Sequence, residues 1–174
     1  MKLLVSPINK EEAIAAYKGG ADIIDVKNPK EGSLGANFPW VIRSVKEAIG
    51  SNKPISATIG DFNYKPGTAS LAALGAAVAG AQYVKVGLFD VQTEDQALEM
   101  LTNINRAVKD FDPSKKVVAS GYSDYKRINS ISPFLLPAIG AKAGVDVVMV
   151  DTGIKDGRST FEFMSEEELI RFTS

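Results

Sequence analysis

Neither cysteine nor histidine occurs anywhere in the 174 residues. Without thiols there can be no disulfide, no thiolate nucleophile, no iron–sulfur cluster and no cysteine-based zinc site. The missing histidine constrains more. Histidine is the side chain whose ordinary pKa lies nearest neutrality, so proton transfer must fall to Asp, Glu, Lys or Tyr with values shifted by their surroundings. A Ser-His-Asp triad cannot be assembled. An excess of one charge is lacking too: 20 Lys and Arg against 21 Asp and Glu leave a net charge of -1, which offers no footprint for nucleic acid or an anionic membrane surface. No window approaches the ~18 uninterrupted apolar residues of a membrane span, and Leu3-Leu4-Val5 meets Ser6-Pro7 too early for a signal peptide. These absences predict a cytoplasmic protein with no nucleic-acid or membrane partner. With 45% apolar and 24% charged residues, the composition suits one domain, residues 1–174, with a real core.

What the chain does have is a repeated phrase. Gly19-Gly20-Ala21-Asp22-Ile23-Ile24-Asp25-Val26-Lys27 is echoed by Gly80-Ala81-Gln82-Tyr83-Val84-Lys85-Val86-Gly87 and by Gly144-Val145-Asp146-Val147-Val148-Met149-Val150-Asp151. Each enters from small residues, runs through β-branched ones and ends on a polar tip, the mark of one supersecondary unit used several times. Strands are predicted at 2–5, 22–27, 54–59, 82–86, 116–120 and 145–150. Helices alternate with them. Capping-box-like pairs Asn9/Glu12, Thr93/Gln96 and Ser165/Glu168 open three helices, and prolines lie in the first turn of others.

Nearly continuous Val/Ile strands between helices imply a parallel sheet covered by those helices. No Gly-x-Gly-x-x-Gly turn follows the first strand, and polar residues recur after strand upon strand rather than at one switch point. The expected fold is therefore a (β/α)8 TIM barrel of which the first six β/α units are present. Eight units typically take ~250 residues. Strands seven and eight, whose loops most often hold a substrate phosphate, are expected to be missing, and open edges at the first and sixth strands invite pairing into a homo-oligomer.

Alternation of faces points Asp25 and Lys27 the same way, and aligning the repeats adds Lys85 and Asp151 to an inward cluster, with Gly87 leaving room and Lys155 reachable from the next loop. Burying amines among apolar strands is costly unless they are paired. A partly desolvated lysine near a second cation loses its proton more readily and attacks carbonyls to form a Schiff base. A neighbouring carboxylate or second lysine can then move protons on the adjacent carbon, with no metal or cofactor. Plainer readings stand beside this one: Lys27 as a solvated residue past its strand, Lys85 as a structural ion pair to Asp25, Asp25 and Asp151 as anchors of loop amides, Lys155 as a surface charge. Ser6, Thr58, Asp61 and Ser120, also at strand ends, read as loop caps or substrate hydrogen bonds. Asp25 and Asp151 lack a third ligand for Mg²⁺ and have ammonium competitors.

Three stretches carry a resemblance. Asp25-Val26-Lys27-Asn28-Pro29-Lys30-Glu31-Gly32-Ser33-Leu34-Gly35-Ala36, Lys85-Val86-Gly87 and Val150-Asp151-Thr152-Gly153-Ile154-Lys155-Asp156-Gly157 closely resemble the (5-formylfuran-3-yl)methyl phosphate synthases of methanogens, also called 4-(hydroxymethyl)-2-furancarboxaldehyde-phosphate synthases. The resemblance runs from Met1 to Ser174, and family members are longer by about two barrel units. It implies a lyase that condenses two molecules of glyceraldehyde 3-phosphate, losing phosphate and water, to make the furan precursor of methanofuran. It further implies Lys27 as the Schiff-base lysine, Lys85 as the proton acceptor, and Asp25, Asp151 and Lys155 as supporting residues. Lys155 and Arg158 are candidates for attracting the substrate phosphates. A class I aldolase of the deoxyribose-phosphate type, or an inactive partial barrel needing a partner, are the alternatives.

Overall fold

Local signals set where the elements begin. In the computed structural model, which describes residues 1–173, the Glu12 amide donates to the Asn9 side chain at 2.8 Å and opens helix α1 (Lys10–Lys18). Pro39 and Pro66 stand at the starts of α2 (Pro39–Ile49) and α3 (Pro66–Val78), where a missing N–H costs nothing. The Gln96 amide donates to Thr93 Oγ1 at the start of α4 (Glu94–Phe111). A 3₁₀ turn over Pro133–Leu135 leads into α5 (Leu136–Ala143), and Ser165 with Glu168 makes a reciprocal capping box before α6 (Glu166–Thr173).

Between these helices lie β1 (Leu4–Val5), β2 (Ile23–Val26), β3 (Ile55–Phe62), β4 (Tyr83–Leu88), β5 (Lys116–Tyr122) and β6 (Val147–Asp151). They form one parallel sheet in which spatial order equals chain order. A doubly wound sheet reverses order at a switch point; this one does not, and it forms the open, six-stranded portion of a (β/α) barrel. Ile24, Val26, Ile55, Ala57, Val84, Val86, Val117 and Ala119 pack against Ile42, Val45, Ala73, Leu101, Ile104 and Val108 of the helices in a single core. Each fully buried branched side chain there contributes about 1.5–3 kcal/mol. The intervening strand residues are a different population: Asp25, Ser56, Thr58, Lys85 and Ser120 are buried and polar. Period-2 alternation puts them together on the inner face.

One irregularity matters for the site. Thr58 pairs with Lys85 but Asp61 pairs with Gly87, so β3 uses three residues where β4 uses two. The extra residue is taken up beside Gly60, whose φ of 126° suits glycine. Beyond this bulge the faces exchange, and Asp61 rather than Gly60 turns inward. Strands β3 and β5 also run further than the hydrophobic pattern predicts, to Phe62 and Tyr122, because Asp61 and Tyr122 pair on with Gly87 and Asp151. Conversely β1 is only two residues long. No helix among the described residues is long and apolar enough to cross a membrane.

Candidate active site

Asp25 projects from the middle of β2 and is wholly buried. Its Oδ2 accepts from Lys85 Nζ at 2.7 Å and from the Ser6 hydroxyl at 3.0 Å. Its Oδ1 is buried with no partner among the described residues. Register explains the meeting of residues 25 and 85: Asp25 lies beside Ser56, Thr58 beside Lys85, and strand tilt in a barrel brings residues of alternate strands to a common level. Lys85 is itself 4% exposed, so the pair is dry.

Lys27 stands one step nearer the mouth. It makes no ion pair and its amine has no hydrogen bond among the described residues. Burial lowers its pKa below the ordinary lysine value; the charge of Asp151 opposes that, while Lys155 and Lys85 reinforce it and Asp25 opposes it. On β6, Asp151 accepts from Lys155 Nζ and from the Thr152 amide, both at 2.7 Å on Oδ1, and from the Ser33 hydroxyl at 3.3 Å on Oδ2. Burial pushes the Asp151 carboxyl up, but the Lys155 hydrogen bond, the Thr152 amide and the charges of Lys155 and Lys27 outweigh it, and its pKa lies below the ordinary value. All five residues singled out in the sequence therefore meet in one place. Arg158 does not join them; it lies at 3.9 Å from Asp156 in a separate surface group with Arg127.

The loop after β2 closes over this cluster. Ser33 donates to the Thr152 carbonyl at 2.8 Å, 119 residues away in sequence. The Leu34 amide donates to both oxygens of Asp61, at 3.2 and 2.9 Å, and the Leu34 side chain is fully buried. Thr58 Oγ1 donates to the Gly35 carbonyl at 2.7 Å. Thr58 and Asp61 are thus loop anchors, as one of the two readings of those positions expected. Tyr122 donates from its hydroxyl to Asp61. Burial first, then the charge and hydrogen bond of Asp61, push the phenol far above its ordinary value, so it remains a donor.

Gly87 leaves room as expected, but the room is filled. A Cβ there would collide with the Tyr122 hydroxyl and lie 2.8 Å from Asp61 Oδ1. Ser33, Tyr122 and Thr152 were not singled out in the sequence. Tyr122 continues the inward parity of Val118 and Ser120, which is the one signal that points to it. Among the described residues no group of three or more acidic side chains is gathered as a metal site. A cavity of about 310 Å³ between α2 and α3, lined by Thr58, Ile42, Leu71, Ala72 and Gly75 among others, carries no titratable group.

Comparison with known proteins speaks to kinship and fold. Residues 3–174 match the family described as 4-HFC-P synthase. The (5-formylfuran-3-yl)methyl phosphate synthase of Methanosarcina acetivorans is 82% identical over 173 residues, which cover 99% of this chain and 74% of that protein. The one from Methanocaldococcus jannaschii is 57% identical over 172 residues, covering 99% of this chain and 73% of that protein. Among solved structures, one described as "QR15, an Aldolase" superposes with a TM-score of 0.68 at 16% identity over 99% of this chain and 73% of that one. A 2,3-dimethylmalate lyase gives 0.65 at 12%, over 86% of this chain and 57% of that one. At such identities the structural likeness speaks to the fold alone, whereas the sequence matches speak to kinship: this chain belongs to the 4-HFC-P synthase family.

Proposed function

We propose that the chain acts as a Schiff-base (5-formylfuran-3-yl)methyl phosphate synthase, joining two molecules of glyceraldehyde 3-phosphate with loss of phosphate and water, on the route to methanofuran. The observation that carries this reading is the contrast among three lysines: Lys85 and Lys155 each donate to a carboxylate at 2.7 Å, while Lys27 is unpaired with its pKa lowered. An unpaired, partly desolvated amine is the one available as a nucleophile.

Lys27 Nζ attacks the aldehyde carbon, and loss of water leaves an iminium. That iminium is an electron sink, so removal of the proton on the adjacent carbon gives an enamine. The enamine can expel the phosphate one carbon further on, or attack a second aldehyde and form a carbon–carbon bond. Lys85 and Asp25 take up and return the proton, and the unpartnered Asp25 Oδ1 is free to accept from a substrate hydroxyl. Asp151 and Lys155 serve the leaving oxygen from the mouth, where Lys155, half exposed, also attracts dianionic substrate. The chain spans about three quarters of its relatives' length. The same reading places the reaction in the cytoplasm and in a homo-oligomer, whose mass light scattering measures.

Borohydride trapping with glyceraldehyde 3-phosphate, followed by peptide mass spectrometry, tests the assignment. A reduced adduct on the peptide bearing Lys27, absent in Lys27→Met, is expected. An adduct on Lys85 would reverse the two roles, and product analysis separates the furan from the sugar phosphate of a deoxyribose-phosphate type aldolase.

A further inference from the structure

Three glycines set the place of the Asp61 carboxylate. Gly60 supplies the bulge that turns it inward, Gly32 has φ 136° and would press a Cβ onto Asp61 Oδ2, and Gly87 would press one onto both Asp61 and Tyr122. None of the chemistry assigned above uses Asp61 or Tyr122. Yet the two sit at one end of an unbroken chain of contacts. The Tyr122 hydroxyl donates to Asp61; Asp61 accepts the Leu34 amide; the adjoining Ser33 hydroxyl reaches the Thr152 carbonyl at 2.8 Å and Asp151 Oδ2 at 3.3 Å.

We propose that Asp61 and Tyr122 are positioning residues: they latch the Gly32–Gly35 segment down and, through Ser33, fix the Asp151 carboxylate beside Lys27. The proposal rests on the reading that Lys27 and Asp151 belong to the reaction centre. Asp61 holds the segment from β3, and Tyr122 keeps Asp61 in place from β5 while filling the space that Gly87 vacates. The groups facing Asp151 are Lys155 and the Thr152 amide on its own loop, Lys27 from β2, Tyr122 from β5 and Ser33 from the latched segment. Of these, Ser33 is the one whose place depends on the latch.

The test is the titration of the Asp151 carboxyl in this chain, without substrate, followed by ¹³C NMR and assigned with Asp151→Asn. Ser33→Ala removes a hydrogen bond to the charged form and should raise the Asp151 midpoint by about half a unit to one unit. Tyr122→Phe should move it the same way. The double variant should move it no further than Ser33→Ala alone, because both break one link. Gly32→Ala reaches the latch from the loop side and should act in the same direction, so the test survives if Tyr122→Phe does not fold. An unmoved Asp151 in folded Tyr122→Phe and Gly32→Ala, or shifts that simply add in the double variant, would overturn the latch. Borohydride trapping runs independently: a Lys27 adduct with an unmoved Asp151 sinks the latch alone, and a missing adduct in the parent chain sinks the imine reading while the titration still judges the latch.

Discussion

Replacing Lys85 by methionine isolates what the buried ion pair does for the fold. Methionine nearly matches the lysine stem in length and flexibility, so little packing is lost. What changes is Asp25, which is fully buried, already has one orphaned oxygen, and would keep only the Ser6 hydroxyl. Removing one partner of a buried pair costs about 3–5 kcal/mol because the other charge is left uncompensated. Domains hold only about 5–15 kcal/mol in total, so the loss is a large share. With a urea slope of about 2 kcal/mol/M, the unfolding midpoint of Lys85→Met should fall by about 1.5–2.5 M. Adding Asp25→Leu removes the stranded charge, and apolar replacement of a whole buried pair is neutral or stabilising by about 1–4 kcal/mol. The double variant should therefore regain at least the parent midpoint while making no product. A single variant that unfolds within about 0.5 M of the parent, or a double variant no better than the single, would refute the picture of a dry, mutually dependent pair.

Lys27 carries a stability cost that its replacement relieves. Unfolded, it holds its proton up to the ordinary 10.5; folded, it releases it lower. Between those values the unfolded state binds more protons, so stability rises as pH climbs through that window, and Lys27→Met should flatten this dependence and raise the midpoint at neutral pH while abolishing trapping. Asp151 gives a slope of the same sign but a gain in place of a cost: its folded value lies below the ordinary 3.8, so its stabilisation is full above that value and lost as pH falls through the folded one. Asp151→Asn should lose that acid-range component, which denaturation between about pH 6 and about pH 2 reads directly. Gly87→Ala places a Cβ against the Tyr122 hydroxyl and should cost about 1–3 kcal/mol, part of it recovered by adding Tyr122→Phe. Equal losses in the single and double variants would show that the strain lies elsewhere.

The inner cluster was legible in the sequence because it obeys one rule throughout. Asp25, Lys27, Lys85 and Asp151 all fall on the same parity of a repeated strand phrase, and parity survives folding wherever a strand is regular. Asp61 breaks the rule. Counting by twos from Ser56 and Thr58 puts Gly60 inside and Asp61 outside; the bulge reverses this, and its only trace in the sequence is a glycine with several possible uses. Tyr122 lay just past the predicted end of β5, which the hydrophobic run alone sets too short. Ser33 was beyond reach for a different reason. Its partners lie 118 and 119 residues away, and no local pattern encodes a loop's distant contact.

Charge counting supports the proposal that Lys27, and not a neighbour, is the reactive amine. Three lysines share two carboxylates, leaving one positive charge over. Asp25 is taken by Lys85 in the dry interior, and Asp151 by Lys155 at the mouth, each at 2.7 Å. Pairing favours the protonated amine, whereas half-burial beside two cations favours the free one. The surplus therefore falls on Lys27, which feels Lys85 from below and Lys155 from above. Swapping the partners exposes the logic: Asp151→Asn removes the carboxylate whose charge opposes most strongly and should lower the Lys27 pKa further, so that imine formation begins at lower pH than in the parent chain. If instead the onset stays where it is in the parent chain, the half-burial of Lys27, and not its balance of neighbours, governs its proton.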